Sequence, residues 1–176
     1  MYRRIILLLI LLLLSGCLKS EMDNSKLSKL TKRNDIYYMA LLNTKKAQII
    51  ASFETKALLI ATYLNPIFRD KNRCSICFDT SNGEYFLVGL FINGARESKF
   101  NKSGYSIALN GVAPEDLKEV DRDDPLLKEM PMVNNWSSYY IAKFPKQRGD
   151  ILKLIFKSDI FGEDILEFKK SLKESK

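Results

Sequence analysis

The sequence predicts a mainly β fold, a single antiparallel β sandwich, and three observations point to it. Short apolar runs recur along the chain, turn dipeptides such as Asn82-Gly83 and Asn93-Gly94 separate them, and sustained helical periodicity is scarce. Together these favour sheets packed face to face, of the immunoglobulin-like kind, with an α+β arrangement as the alternative.

The elements follow in order. The ordered part begins near Ile36 with the compact apolar run to Leu42, and Lys45-Lys46 sets this apart from Ala47 to Phe53 and Ala57 to Leu64. Over residues 46–64 two readings compete. Ile49, Ile50, Phe53, Ala57, Ile60, Ala61 and Leu64 fit a helical stripe, whereas the Ile, Thr, Tyr and Phe content fits two buried strands, the reading preferred here. Asn65-Pro66 closes the segment either way, because a residue before proline is pushed out of the helical region. Glu84 to Ile92 is a nearly continuous apolar strand. Tyr105, Ile107 and Leu109 alternate with Ser106, Ala108 and Asn110, which predicts a strand with one buried face. Pro114 followed by Glu115, Asp116 and Glu119 predicts a short helix start, with proline in the first turn and acids near the positive end of the dipole. Ser138 to Phe144, Ile151 to Phe156 and Ile165 to Phe168 supply the remaining strands, and the charged tail 171–176 is expected to fray.

Ahead of this domain stands Arg3-Arg4, then ten apolar residues from Ile5 to Leu14, then Ser15-Gly16-Cys17. A charged start, a short apolar core and small residues make a secretory signal, and the core falls short of the roughly 20 residues a membrane span needs. Leu14-Ser15-Gly16-Cys17 resembles the lipobox of bacterial lipoproteins. The resemblance covers only residues 1–17. It implies that a diacylglyceryl group joins the Cys17 thiol, that a peptidase removes residues 1–16, and that the new amine is acylated. Each buried methylene contributes about 0.8 kcal/mol and a single chain holds only marginally, so several chains give lasting attachment to a bilayer. Leu18 follows the cysteine where some inner-membrane lipoproteins carry aspartate, which leans the expected location towards the periplasmic face of the outer membrane. Residues 17–34, rich in Lys, Ser, Asn, Asp and Thr, read as an acylated cysteine and a flexible tether, and 35–170 as the globular domain.

Composition narrows the function further. The 176-residue chain carries 28 basic and 21 acidic residues, and loss of Arg3 and Arg4 with the signal leaves a net charge of +5. A basic balance raises nucleic acid as a partner, but export past the inner membrane removes it from reach. Histidine is absent, which rules out Ser-His-Asp and Cys-His catalysis and histidine-ligated metals. No serine has a lysine three residues later, and the eight glycines form neither a P-loop nor a dinucleotide fingerprint. No catalytic residue, metal ligand or cofactor is assigned.

Three groupings remain. Cys74-Ser75-Ile76-Cys77 has the spacing of a redox pair, but the turn-rich Phe78 to Gly83 that follows is no helix, so a structural disulfide between Cys74 and Cys77 is preferred over free thiols. Glu115, Asp116, Glu119, Asp121, Asp123 and Asp124 read as a solvated helix and loop, with calcium as the alternative. Trp136, Tyr139 and Tyr140, beside Asn134-Asn135, form an aromatic cluster that serves either as core or as an interaction surface. The expected function is therefore a lipid-anchored, non-catalytic binding or assembly module of the cell envelope. Its expected partners are the bilayer, through acyl chains on Cys17, and an unidentified envelope protein or glycan. The alternatives are a sugar- or lipid-binding module, or a glycan hydrolase that uses carboxylates alone.

Overall fold

The computed structural model describes residues 36–68, 79–100 and 104–170. The signal, Cys17, the tether, Cys74, Cys77 and the tail 171–176 lie outside the described residues.

A short helix, α1 (Ile36–Leu42), leads into the hairpin β1 (Thr44–Ala51) and β2 (Glu54–Tyr63). The strand reading of 46–64 is the one the chain adopts. The hairpin turns on two residues only, Ser52 and Phe53, both in the left-handed region with φ of 52° and 64°. Two such residues in a row are what the tightest hairpin turns require, and Asn-Gly usually supplies them. Thr44 and Thr62 lie opposite each other with hydroxyls 2.7 Å apart, and Thr44 also donates to the Ala40 carbonyl, so the end of α1 is tied to the start of the hairpin.

From there β3 (Glu84–Ile92) pairs with β2, and β6 (Ser138–Phe144) with β3. The edge strand β5 (Asp116–Val120) completes a five-stranded antiparallel sheet in the order β1-β2-β3-β6-β5. The second sheet is β4 (Tyr105–Leu109), β7 (Ile151–Ser158) and β8 (Gly162–Lys169), in the order β4-β7-β8. The two antiparallel sheets pack face to face as the sandwich expectation requires. Their order is not that of immunoglobulin domains, where the third strand crosses to the other sheet; here β3 returns beside β2, and Asn65 ties its start to the end of β2 by donating to the Gly83 carbonyl and accepting from the Tyr85 amide, each at 2.8 Å.

The core between the sheets is aromatic. Phe86 of β3 meets Tyr63 at 4.9 Å, Phe168 of β8 at 5.2 Å and Phe144 at 5.8 Å between ring centroids, so a single ring joins both layers. Fully burying a side chain of this size contributes about 1.5–3 kcal/mol. β3 is buried on both faces, which explains its unbroken apolar run: Phe86, Val88 and Leu90 enter this core, while Tyr85 and Leu87 enter a second one on the outer side. That outer core is covered by Ala40 of α1, by Leu64 and Phe68, and by Leu126 and Leu127 of a second short helix, α2 (Pro125–Glu129).

The helix start expected at Pro114 is corrected by β5. Leu117 leans on the inter-sheet core and Val120 on the outer core, an alternation that only a strand provides here. A proline start does operate eleven residues later, where the acid precedes the proline: Asp124 caps α2 by accepting from the Leu126 amide at 2.8 Å and Pro125 occupies its first turn. Among the described residues no helix is long and apolar enough to cross a membrane.

Candidate functional site

The aromatic cluster read as either core or interaction surface is divided between three environments. Neighbouring residues of a strand point to opposite faces, and β6 begins at Ser138. Tyr140, 6% exposed, therefore enters the inter-sheet core, where its ring meets Phe100 edge-on at 5.3 Å and its hydroxyl donates to the Ser98 carbonyl at 3.2 Å. Burial, with a further push from Glu119, raises the Tyr140 phenol above its ordinary pKa. Tyr139, 4% exposed, enters the outer core, and only Trp136, 75% exposed, faces solvent.

The buried tyrosine holds the exposed tryptophan in place. Tyr139 lies across Gly89 of β3 so closely that a Cβ there would stand 2.6 Å from its ring. From that seat its hydroxyl accepts from the Asn134 amide at 2.7 Å and donates to the Asn134 carbonyl at 3.3 Å. Asn134 in turn accepts from the amides of Trp136 at 3.0 Å and Ser137 at 2.9 Å through its side-chain oxygen, and Arg122 donates to the Asn135 carbonyl at 2.7 Å. The backbone that carries the indole is thus tied at both Asn134 and Trp136 and has little freedom left to lose on binding.

Beside the indole is a recess of about 330 Å³, lined by Leu58, Phe91, Asn134, Trp136 and Ser137. Leu58 and Phe91 are opposite one another in the register of β2 and β3, at a part of the sheet's outer face outside the second core. The recess is almost wholly apolar. At its edge the Ser137 hydroxyl is buried with no hydrogen-bond partner among the described residues.

The acidic group takes a different form from a ligand cage. Among the described residues no three Asp, Glu, Cys or His converge as a metal site. Asp116, Glu119, Asp121 and Asp124 line a groove along β5 together with Lys118 and Lys143, and Glu115 pairs with Lys143 at 3.1 Å, which holds the Lys143 ammonium above its ordinary pKa.

One constellation escaped the sequence reading. The Glu84 carboxylate is buried at the start of β3, where it accepts from Tyr63 Oη at 2.6 Å and from the Gln147 amide at 3.2 Å and pairs with Lys170 at 2.6 Å. Its partners come from the end of β2, the β6–β7 connection and the residue after β8, so it ties one end of the sandwich shut. Such a satisfied buried carboxylate is a structural lock.

Compared with known protein families, with curated proteins and with solved structures, the chain matches none.

Proposed function

We propose that this chain is a lipid-anchored protein of the bacterial cell envelope that acts as a non-catalytic binding or assembly module. Acyl chains on Cys17 hold it to the bilayer through the tether, and the β domain offers a partner the surface around Trp136. The observation that carries the binding reading is the exposed indole on a loop fixed by Tyr139 and Asn134, next to an apolar recess. Exposed tryptophan beside a pocket is the chemistry of an interaction hot spot.

The lining favours an apolar side chain of a partner over a sugar, whose hydroxyls would lose water there without replacement. Several described acids are engaged in the fold itself: Glu115 with Lys143, Glu84 with Lys170, Asp124 on the Leu126 amide. Those three serve the fold, while Asp116, Glu119 and Asp121 line the β5 groove beside Lys118 and Lys143.

The test has two arms in intact cells. A palmitate analogue is expected to label the wild type and not Cys17→Ser, and crosslinking is expected to trap an envelope partner that Trp136→Ala loses while melting like the wild type. An unlabelled wild type removes the anchor, and unchanged crosslinking of Trp136→Ala removes the binding surface.

A further inference from the structure

Two hairpin tips project from the end of the sandwich opposite Glu84, and both carry exposed apolar side chains. β1 and β8 lie side by side, as the Gln48 amide donating to the Asp164 carboxylate at 2.9 Å shows. Nearer the other end, Lys45 Nζ stands 5.9 Å from the Phe168 ring centroid. Ascending β1 therefore means descending β8. Three to five residues beyond the Gln48–Asp164 contact, about 10–17 Å along the strands, come the Ser52–Phe53 turn of one hairpin and the Ile160–Phe161 turn of the other.

Phe53 and Ile160 at these tips belong to neither buried core. Phe53 is 106% exposed and Ile160 82%, with Ile50 and Phe161 exposed beside them. Phe53 also sits at a φ of 64°, where a bulky residue is a genuine outlier and asparagine or glycine would make the same turn with less strain. Strain at a side chain that contributes nothing to the core points to a use outside the fold.

We infer that this end of the sandwich enters the headgroup region of a lipid bilayer, with Phe53 and Ile160 as the inserting side chains. The inference rests on the anchor reading of Cys17, since acylation already holds the chain at a membrane. Eighteen residues separate Cys17 from Ile36 and span up to about 60 Å extended, against about 26 Å for the eight-residue β1, so the far end can reach the same surface. Two separate convex tips suit a fluid that closes around each, whereas a protein partner would need two pockets at matched spacing. Aromatic and aliphatic side chains are the ones that bury favourably at the boundary of headgroups and acyl chains. The Glu54–Lys56 pair, 2.7 Å apart just after the turn, stays at headgroup level and limits the depth. Attachment comes from the acyl chains; the tips set which way the domain faces.

The experiment moves the chain's single tryptophan to the tip, as Phe53→Trp in a Trp136→Phe background. Acylated protein is placed in phosphatidylcholine vesicles whose acyl chains are brominated, and its emission is compared with that in unbrominated vesicles. Quenched, blue-shifted emission is expected, and Ile160→Ser in the same background is expected to reduce the quenching while melting as before. Protein that floats with the vesicles but shows unquenched emission overturns the inference and leaves the anchor standing. A Cys17→Ser variant that floats and is quenched equally well supports the tips and overturns the anchor. Failure of the acylated protein to float overturns both, and a photocrosslinker at position 53 that captures a protein in place of lipid assigns the surface to a protein partner.

Discussion

The two ends of the sandwich are built on opposite principles. At one, the buried Glu84 gathers Tyr63, Asn65, Gln147 and Lys170, so that three chain segments close over a charge with its partners supplied. At the other, Phe53 and Ile160 stand in solvent on bare turns, one of them strained. The comparison teaches where stability and contact reside: the first end spends polar groups on closing the fold, and the second leaves apolar groups for something else to cover.

The largest effect is expected at the closed end. Glu84→Gln leaves the Lys170 ammonium facing an uncharged amide in a mostly buried site, and loss of one partner from such a pair is expected to destabilise by about 3 kcal/mol. Denaturant unfolding measures it; a loss under about 0.5 kcal/mol would show that the lock is ornamental. Next comes the platform under Trp136. Gly89→Ala drives a methyl into the Tyr139 ring, at an expected cost of about 2 kcal/mol, and shifts Trp136 emission because Tyr139 holds Asn134. Tyr139→Phe keeps the ring and removes the hydroxyl, with an expected loss of about 1 kcal/mol, followed by the same two readouts.

The smallest effect is read in alkali. Because burial raises the Tyr140 phenol, the folded state keeps its proton longer than the unfolded chain does. Its contribution is fully present below the unfolded value of about 10 and is lost as pH rises through the folded value. Stability is thus expected to decline above about pH 10, and Tyr140→Phe to decline less over the same window. Parallel curves for the two proteins would assign the decline to other groups.

Much of the strand content was legible because it rests on local pattern. β3 announced itself by apolar residues on both faces, and β4 by alternation. The strand at Ser138 even implied the fate of the aromatic cluster, since adjacent tyrosines in a strand cannot share a surface. What failed was ambiguity between equal signals: Pro114 and its acids mimic a helix start, and only the packing of Leu117 and Val120 decides for β5. The strand order and the Glu84 lock were unreadable, because their partners lie far apart in sequence. The Phe53 tip was hidden for a different reason. Ser52-Phe53 carries neither asparagine nor glycine, so the sequence looks like apolar strand where the chain turns.

The most direct test of the contrast between the ends is Phe53→Asn, melted and then reconstituted acylated in brominated phosphatidylcholine, with Ile160→Trp in a Trp136→Phe background as the reporter in both the Phe53 and the Phe53→Asn protein. Asparagine tolerates the left-handed turn, so the expected result is a gain of about 1 kcal/mol in stability together with weaker quenching of the tryptophan at position 160 than in the protein that keeps Phe53. A variant that is less stable than the wild type, or one quenched to the same extent, would contradict it.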